Sequence, residues 1–107
     1  MEISSAVASL SALAQPSRLE VFRLLVQTGE EGLCAGEIAE RLDLPKTTLS
    51  FHLKELAQAE LIDSRRDGRS IIYSVRVGGI RELLAFLTQD CCQGRPDLCL
   101  PEALGAC

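Results

Sequence analysis

The sequence lacks several features that would place it in other classes of protein. No apolar run approaches the roughly 20 residues that a membrane-spanning helix needs. The first five residues, Met-Glu-Ile-Ser-Ser, lack the basic start and the long apolar core of a secretion signal. Five cysteines, an odd number, argue against a secreted disulfide framework. We therefore expect a cytoplasmic protein with reduced thiols and no membrane partner.

Histidine is nearly absent, since His52 is the only one, and aromatic residues make up only 4% of the chain. One histidine excludes a zinc site built from several imidazoles. The cysteines form no Cys-x-x-Cys repeat, which disfavours a zinc finger. At 107 residues and 47% hydrophobic, without internal repeats or linkers, the chain is ordinary globular material for one domain.

The net charge of −4 is distributed unevenly along the chain. Residues 44–76 contain six basic and four acidic side chains, a balance of +2, so the rest of the chain carries −6. A basic middle flanked by acidic ends is compatible with a DNA-binding face on an acidic scaffold.

Hydrophobic periodicity predicts a mainly α fold with one β-hairpin, in the order α-α-α-α-β-β-α. Pro16 suits a first helical turn, Pro45 ends a helix, and the Asp67-Gly68 pair is a strong hairpin signal. The predicted helices cover residues 3–14, 16–28, 35–42, 46–59 and 77–90, and the predicted strands cover residues 61–66 and 70–75. The apolar stripes of the five helices are Ile3, Val7, Leu10 and Ala14; Leu19, Phe22, Leu25 and Val26; Ile38, Ala39 and Leu42; Leu49, Leu53 and Leu56; and Ile80, Leu83, Leu84 and Leu87.

Two short helices joined by a tight turn and followed by a basic hairpin form the pattern of a winged helix-turn-helix. The second helix of such a pair enters the major groove with its N-terminal half. The candidate DNA contacts are Lys46, Thr47, Thr48, Ser50 and His52 on that helix and Arg65, Arg66 and Arg69 around the hairpin tip. The alternative is a plain helical domain whose Thr- and Ser-rich helix start is only a capping region.

Four short segments carry a further pattern. They are Pro-Ser-Arg-Leu at residues 16–19, Gly-Glu-Ile-Ala at 36–39, Thr-Leu-Ser-Phe-His-Leu-Lys-Glu-Leu at 48–56 and Gly-Arg-Ser-Ile-Ile-Tyr at 68–73. Over roughly residues 10–90 the chain thereby resembles the ArsR/SmtB family of bacterial metal- and metalloid-responsive repressors.

The resemblance implies a homodimer whose first and fifth helices form the interface and whose two recognition helices contact a palindromic operator. The DNA-binding and dimerisation domain then covers residues 1–90, and residues 91–107 form a cysteine-rich tail. Gln15 replaces an acidic residue that is usual in the family. Pro45 replaces the serine that usually caps the recognition helix, so we expect a slightly weaker helix end.

Four of the five cysteines, Cys91, Cys92, Cys99 and Cys107, lie in the last seventeen residues. Crowded thiols on a polar, proline-containing tail are typical ligands of a soft ion. Cys34 corresponds to one member of a cysteine pair that many family members have, but Gly36 stands in the place of the other. A lone thiol cannot chelate, so the tail is the better candidate.

Cys91, Cys92 and Cys99 are the predicted ligands, because three thiolates suit the pyramidal geometry of trivalent arsenic. Some arsenic-responsive family members likewise have an adjacent cysteine pair at the end of the last helix and a third cysteine shortly after. The sequence therefore predicts a repressor of a metalloid-resistance operon that As(III) releases from DNA, with Sb(III) as another possible inducer.

Three alternatives stay open at this point. Cys107 could supply a fourth ligand for zinc, cadmium or lead. A disulfide between Cys99 and Cys91 or Cys92 could make a redox switch. A thiol-dependent enzyme is disfavoured, because the tail has only Arg95 nearby and no glycine-rich anion-binding loop.

Overall fold

Five helices and three short strands make up residues 1–89, the part of the chain that the computed structural model describes. They are α1 (Ile3–Leu13), α2 (Pro16–Thr28), β1 (Leu33–Cys34), α3 (Ala35–Leu42), α4 (Lys46–Gln58), β2 (Ile62–Asp67), β3 (Ser70–Val75) and α5 (Val77–Thr88). The predicted order of four helices, a hairpin and a last helix is confirmed, with β1 as an addition. Residues 90–107, which include the predicted tail, lie outside the described part.

The helix ends follow from local chemistry. Pro16 occupies the first turn of α2, and the side chain of Gln15 accepts a hydrogen bond from the Arg18 backbone N–H at 2.7 Å. Asp43 ends α3 in the left-handed conformation, with φ of 52°, and Pro45 precedes the first residue of α4. Together with Leu44 between them, these residues separate α3 from α4 and make the tight turn of the helix-turn-helix.

The core lies where α2, α3 and α4 pack together above the base of the hairpin. Its most deeply buried large side chains are Val21, Leu25, Ile38, Leu49, Leu56 and Leu61. The predicted inward stripe of α4 is confirmed, since Leu53 is buried as well. The stripe predicted for α2 was partly wrong: Leu19 is 42% and Val26 49% exposed, because this helix turns Val21, Phe22 and Leu25 inward.

The three strands form one antiparallel sheet in the order β1-β3-β2. The hairpin between β2 and β3 closes with Asp67 opposite Ser70, and Gly68 in its turn has φ of 63°, which favours glycine. On the other edge, Cys34 of β1 lies opposite Ile72 of β3. Two residues are too few to show an alternating pattern, so periodicity could not reveal β1.

The apolar residues of α1 and α5 are largely exposed in the single chain. Ile3, Val7 and Leu10 of α1 are 69%, 54% and 42% exposed, whereas the opposite side of this helix buries Ala6, Ser9 and Ala12. On α5, Leu83 is buried, but Leu84 and Leu87 are 40% and 52% exposed. Both helices thus have an apolar surface that no other part of residues 1–89 covers. Neither they nor the other helices described have the length and apolar character that crossing a membrane requires.

Candidate nucleic-acid interface and inducer site

The exposed face of α4 is polar at its N-terminal end. Lys46, Thr47, Thr48 and Ser50 are all exposed, while Leu49 between them is buried. Pro45 at the N-cap makes no side-chain hydrogen bond to the helix, so the first backbone N–H groups of α4 remain open. Short polar side chains beside open N–H groups at a helix start form a surface that suits phosphates and base edges.

His52 disagrees with the prediction that it belongs to this exposed surface. It is only 5% exposed, because it lies three residues after Leu49 and one before Leu53, on the side of α4 that faces the core. Its Nδ1 has no hydrogen-bond partner within residues 1–89. Burial lowers the pKa of His52 below its ordinary value of 6.5, and the positive charge of Arg18 lowers it further.

Sequence reasoning missed Phe51 and Lys54, which extend the exposed face of α4. Both are exposed, Phe51 to 54%, and each lies four residues after a residue already on that face, Thr47 or Ser50. The helical spacing alone could therefore have identified them. The Arg18 guanidinium lies 5.8 Å from the centre of the Phe51 ring, and its Nε–H donates to the carbonyl oxygen of Ala12 at 2.8 Å. Arg18 thus connects the end of α1 to the recognition helix.

The hairpin, which we call the wing, presents its three arginines at exposed positions. Arg66 is the last but one residue of β2, and Arg69 lies in the turn. Arg65 is held by the protein itself, since its two terminal nitrogens donate to the carbonyl oxygens of Glu30 and Glu31 at 3.2 and 2.8 Å. The three arginines are therefore close together in sequence but differ in their surroundings.

The predicted inducer ligands Cys91, Cys92 and Cys99 lie outside the described residues, as does Cys107. Within residues 1–89, no three His, Cys, Asp or Glu side chains come together in a way that could hold a metal ion. Cys34 is a half-buried free thiol at the N-cap of α3, where its backbone N–H donates to the Glu37 carboxylate at 3.2 Å. That hydrogen bond is the first cause that lowers the pKa of Glu37.

Comparison with known proteins agrees with this geometry. A family model described as a helix-turn-helix domain matches residues 13–65. The uncharacterized HTH-type transcriptional regulator YceK of Bacillus subtilis is 42% identical over 65 residues, which is 61% of this chain and 64% of that protein. The arsenical resistance operon repressor of Staphylococcus xylosus is 36% identical over 81 residues, which is 76% of this chain and 71% of the repressor.

A solved structure shares this fold. An ArsR-like transcriptional regulator from Rhodococcus sp. RHA1 superposes with a TM-score of 0.75 at 21% identity and covers 94% of this chain and 92% of its own. The sequence relatives and the shared winged helix-turn-helix architecture point to one family of transcription regulators and to no enzyme. The chain belongs to the ArsR/SmtB family of winged helix-turn-helix transcription regulators.

Proposed function

We propose that the chain is a cytoplasmic repressor of a metalloid-resistance operon. In this proposal a homodimer binds a palindromic operator, and As(III) binding at Cys91, Cys92 and Cys99 releases it, with Sb(III) as a second inducer. The observation that carries the DNA-binding part is the exposed polar start of α4 beside a wing with exposed arginines.

The proposed base and phosphate contacts on α4 are Lys46, Thr47, Thr48 and Ser50, which are exposed side chains in its first two turns. Phe51 and Lys54 extend this set toward the middle of the helix. His52, which the sequence predicted as a DNA contact, is excluded from this set because its side chain is buried. From the wing, Arg66 and Arg69 are the proposed phosphate or minor-groove contacts, and Arg65 belongs to the same basic surface.

The proposal of a homodimer is supported by the exposed apolar residues of α1 and α5. An apolar surface of this kind on a small domain is typically an interaction site. A two-fold symmetric dimer would present two recognition helices to half-sites about 34–36 Å apart, so the operator would be a palindrome.

The inducer assignment is supported by the ligand chemistry of the tail. Thiolates are soft ligands that suit a thiophilic ion. The adjacent Cys91 and Cys92 supply two of the three thiolates of the proposed site, and Cys99 supplies the third. Two relatives are named as arsenical resistance operon repressors, that of Staphylococcus xylosus and a putative one of Halobacterium salinarum, at 36% identity each. From the tail thiolates and these two relatives together, we infer that a metalloid is the inducer of this chain.

As(III) would release the dimer from its operator if ion binding favoured a dimer arrangement that fits the operator less well. The tail follows α5 directly, and α5 has one of the two exposed apolar surfaces. Closure of the tail around the ion would therefore move α5 against its dimer mate and change the separation of the recognition helices. A coupling free energy of about 1–3 kcal/mol would lower the affinity for DNA by about 5- to 150-fold.

The test uses a duplex selected from a random-sequence library by the wild-type protein, with binding followed by fluorescence anisotropy during titration with arsenite. We expect Cys92→Ser and Cys99→Ser to bind this duplex as the wild type does and to lose release by arsenite. Cys34→Ser and Cys107→Ser are the matched controls and should respond to arsenite at wild-type concentrations.

The same assay separates the alternatives. If Cys92→Ser and Cys99→Ser are still released at the wild-type arsenite concentration, the ligand assignment is wrong. Release by Zn(II), Cd(II) or Pb(II) that depends on Cys107 would replace the three-sulfur site with a four-sulfur one. Release by peroxide alone, with a disulfide found by mass spectrometry, would replace the ion with a redox switch.

A further inference from the structure

Arg65 is attached to the main chain of a distant loop. It lies on β2 opposite Ile72 of β3, and Ile72 lies opposite Cys34 of β1 on its other side. Its Nη1 donates to the carbonyl oxygen of Glu30 at 3.2 Å, and its Nη2 donates to that of Glu31 at 2.8 Å. One guanidinium thus joins the outer strand of the wing to the loop that leads into β1. We call these two hydrogen bonds the wing clamp.

The loop that accepts the wing clamp is packed against the sheet at Gly32. Gly29 and Gly32, on either side of Glu30 and Glu31, both have positive φ, 61° and 68°. Gly32 lies so close to β3 that a Cβ at this position would collide with the carbonyl oxygen of Tyr73. The two carbonyl oxygens therefore belong to a loop whose last residue, Gly32, is packed against β3, so the clamp attaches β2 to a segment that contacts the sheet.

The neighbouring arginines have different surroundings. Successive side chains of a strand point to opposite faces, so Arg65 and Arg66 leave β2 on opposite sides of the wing. Among the hydrogen bonds and the ion pair found within residues 1–89, none involves the side chain of Arg66 or Arg69. These two guanidinium groups keep all their N–H donors for a ligand, whereas Arg65 has used two of its five.

We propose that Arg65 is a positioning residue that fixes the wing through the clamp, and that Arg66 and Arg69 contact DNA phosphate. This division of roles rests on the proposed DNA-binding function. A planar guanidinium can donate to two adjacent carbonyl oxygens at once, which a lysine ammonium at the end of a flexible stem cannot reproduce. The role of Arg65 therefore depends on the shape of its head group, and that of Arg66 and Arg69 depends on charge.

The two roles predict different responses to substitution by lysine, which keeps the charge, and by glutamine, which removes it. Arg65→Lys and Arg65→Gln should weaken binding to the selected duplex to a similar extent, by about 3- to 30-fold, because both lose one or two hydrogen bonds of the clamp. Neither should change the slope of log affinity against log salt concentration. The matched variants Arg66→Gln and Arg69→Gln should each reduce that slope by about 0.9, and Arg66→Lys and Arg69→Lys should restore it.

A second measurement tests the clamp without DNA. Hydrogen exchange of the backbone amides of residues 62–75 in the free protein should be faster in Arg65→Lys than in Arg66→Lys, whose exchange should match the wild type. Equal exchange in Arg65→Lys and the wild type overturns the clamp. The clamp is also overturned if Arg65→Lys binds DNA with wild-type affinity and Arg65→Gln shows a reduced salt slope. That combination would make Arg65 a phosphate contact.

Failure of the proposed function gives a different result. If the wild-type protein selects no sequence and binds no duplex, the DNA-binding proposal fails, while the exchange experiment still decides whether Arg65 holds the wing. Circular dichroism melting of each variant shows whether the fold is kept. A folded Arg65→Lys protein is expected, since Arg65 is exposed and the β2–β3 ladder does not depend on its side chain.

Discussion

His52 has an ionisable ring in a site that disfavours its charged form. The ring is buried, its Nδ1 has no hydrogen-bond partner within residues 1–89, and the Arg18 charge is nearby. The folded protein therefore holds His52 neutral to a lower pH than the unfolded chain, whose histidine titrates near 6.5. Below that pH the unfolded state binds more protons, so the free energy of unfolding falls as the pH falls toward the lowered pKa.

We expect His52→Gln to remove this dependence on pH. The wild-type protein should lose stability between pH 7.5 and 5.5, and the variant should lose less over the same interval, because glutamine does not titrate. Urea denaturation at both pH values measures the difference, and the interpretation is simple because the chain has no other histidine. Equal losses in the two proteins would contradict the burial of a neutral ring.

The residue scale also shows where sequence reasoning was limited. A polar residue in the N-terminal half of a recognition helix is a reasonable candidate for DNA contact, and residue type alone gave His52 that role. Its neighbours Leu49 and Leu53 were correctly predicted to face inward. Whether His52 is buried depends on its position around the helix axis relative to these two leucines, and the polarity of the residue says nothing about that position.

At the scale of elements, α5 is fitted closely against the segment that follows α4. The backbone N–H of Arg76 donates to the carbonyl oxygen of Leu61 at 2.9 Å, just before the helix begins. A Cβ at Gly79 would collide with the carbonyl oxygen of Glu60, whereas a Cβ at Gly78 would meet nothing within 4 Å. Two adjacent glycines in the same helical turn therefore have opposite environments.

Alanine substitutions at these two glycines should change stability in opposite directions. Gly78→Ala should raise the free energy of unfolding by up to about 1 kcal/mol, since glycine is a poor helix former. Gly79→Ala should lower it by about 1–3 kcal/mol, because the methyl group must push α5 away from Glu60. Chemical denaturation measures both, and a stabilised Gly79→Ala protein would show that α5 is not held this closely.

Elements with local signals were predicted well. Pro16 and Pro45 mark helix starts because proline fixes its own φ, and the Asp67-Gly68 pair marks a turn because glycine can adopt positive φ, so the helices and the wing followed from sequence. The strand β1 and the wing clamp did not, because each depends on segments that are distant in sequence. Arg65 and Glu30 are 35 residues apart, and nothing in either local sequence indicates the other.

At the scale of the whole molecule, the proposed DNA-binding surface and the apolar surfaces of α1 and α5 lie on different elements. The exposed basic residues of α4 and the wing lie in the segment of net charge +2, whereas six of the exposed large apolar residues, Ile3, Val7, Leu10, Val77, Leu84 and Leu87, lie on α1 and α5. The proposed DNA-binding surface and the proposed dimer surface are therefore built from different parts of the chain. A change in the dimer should act on DNA affinity through geometry and leave the DNA-contacting side chains intact.

A single charge on the proposed dimer surface separates these contributions. Leu84→Glu, at a position that is 40% exposed on α5, should yield a monomer in sedimentation velocity, because burying an unpaired carboxylate costs several kcal/mol. Its affinity for a palindromic duplex should fall far more than its affinity for a half-site. Val26→Glu is the control, since Val26 is 49% exposed on α2, a helix that the proposed interface does not include, and this variant should remain a dimer. A dimeric Leu84→Glu protein together with a monomeric Val26→Glu protein would move the interface from α5 to α2.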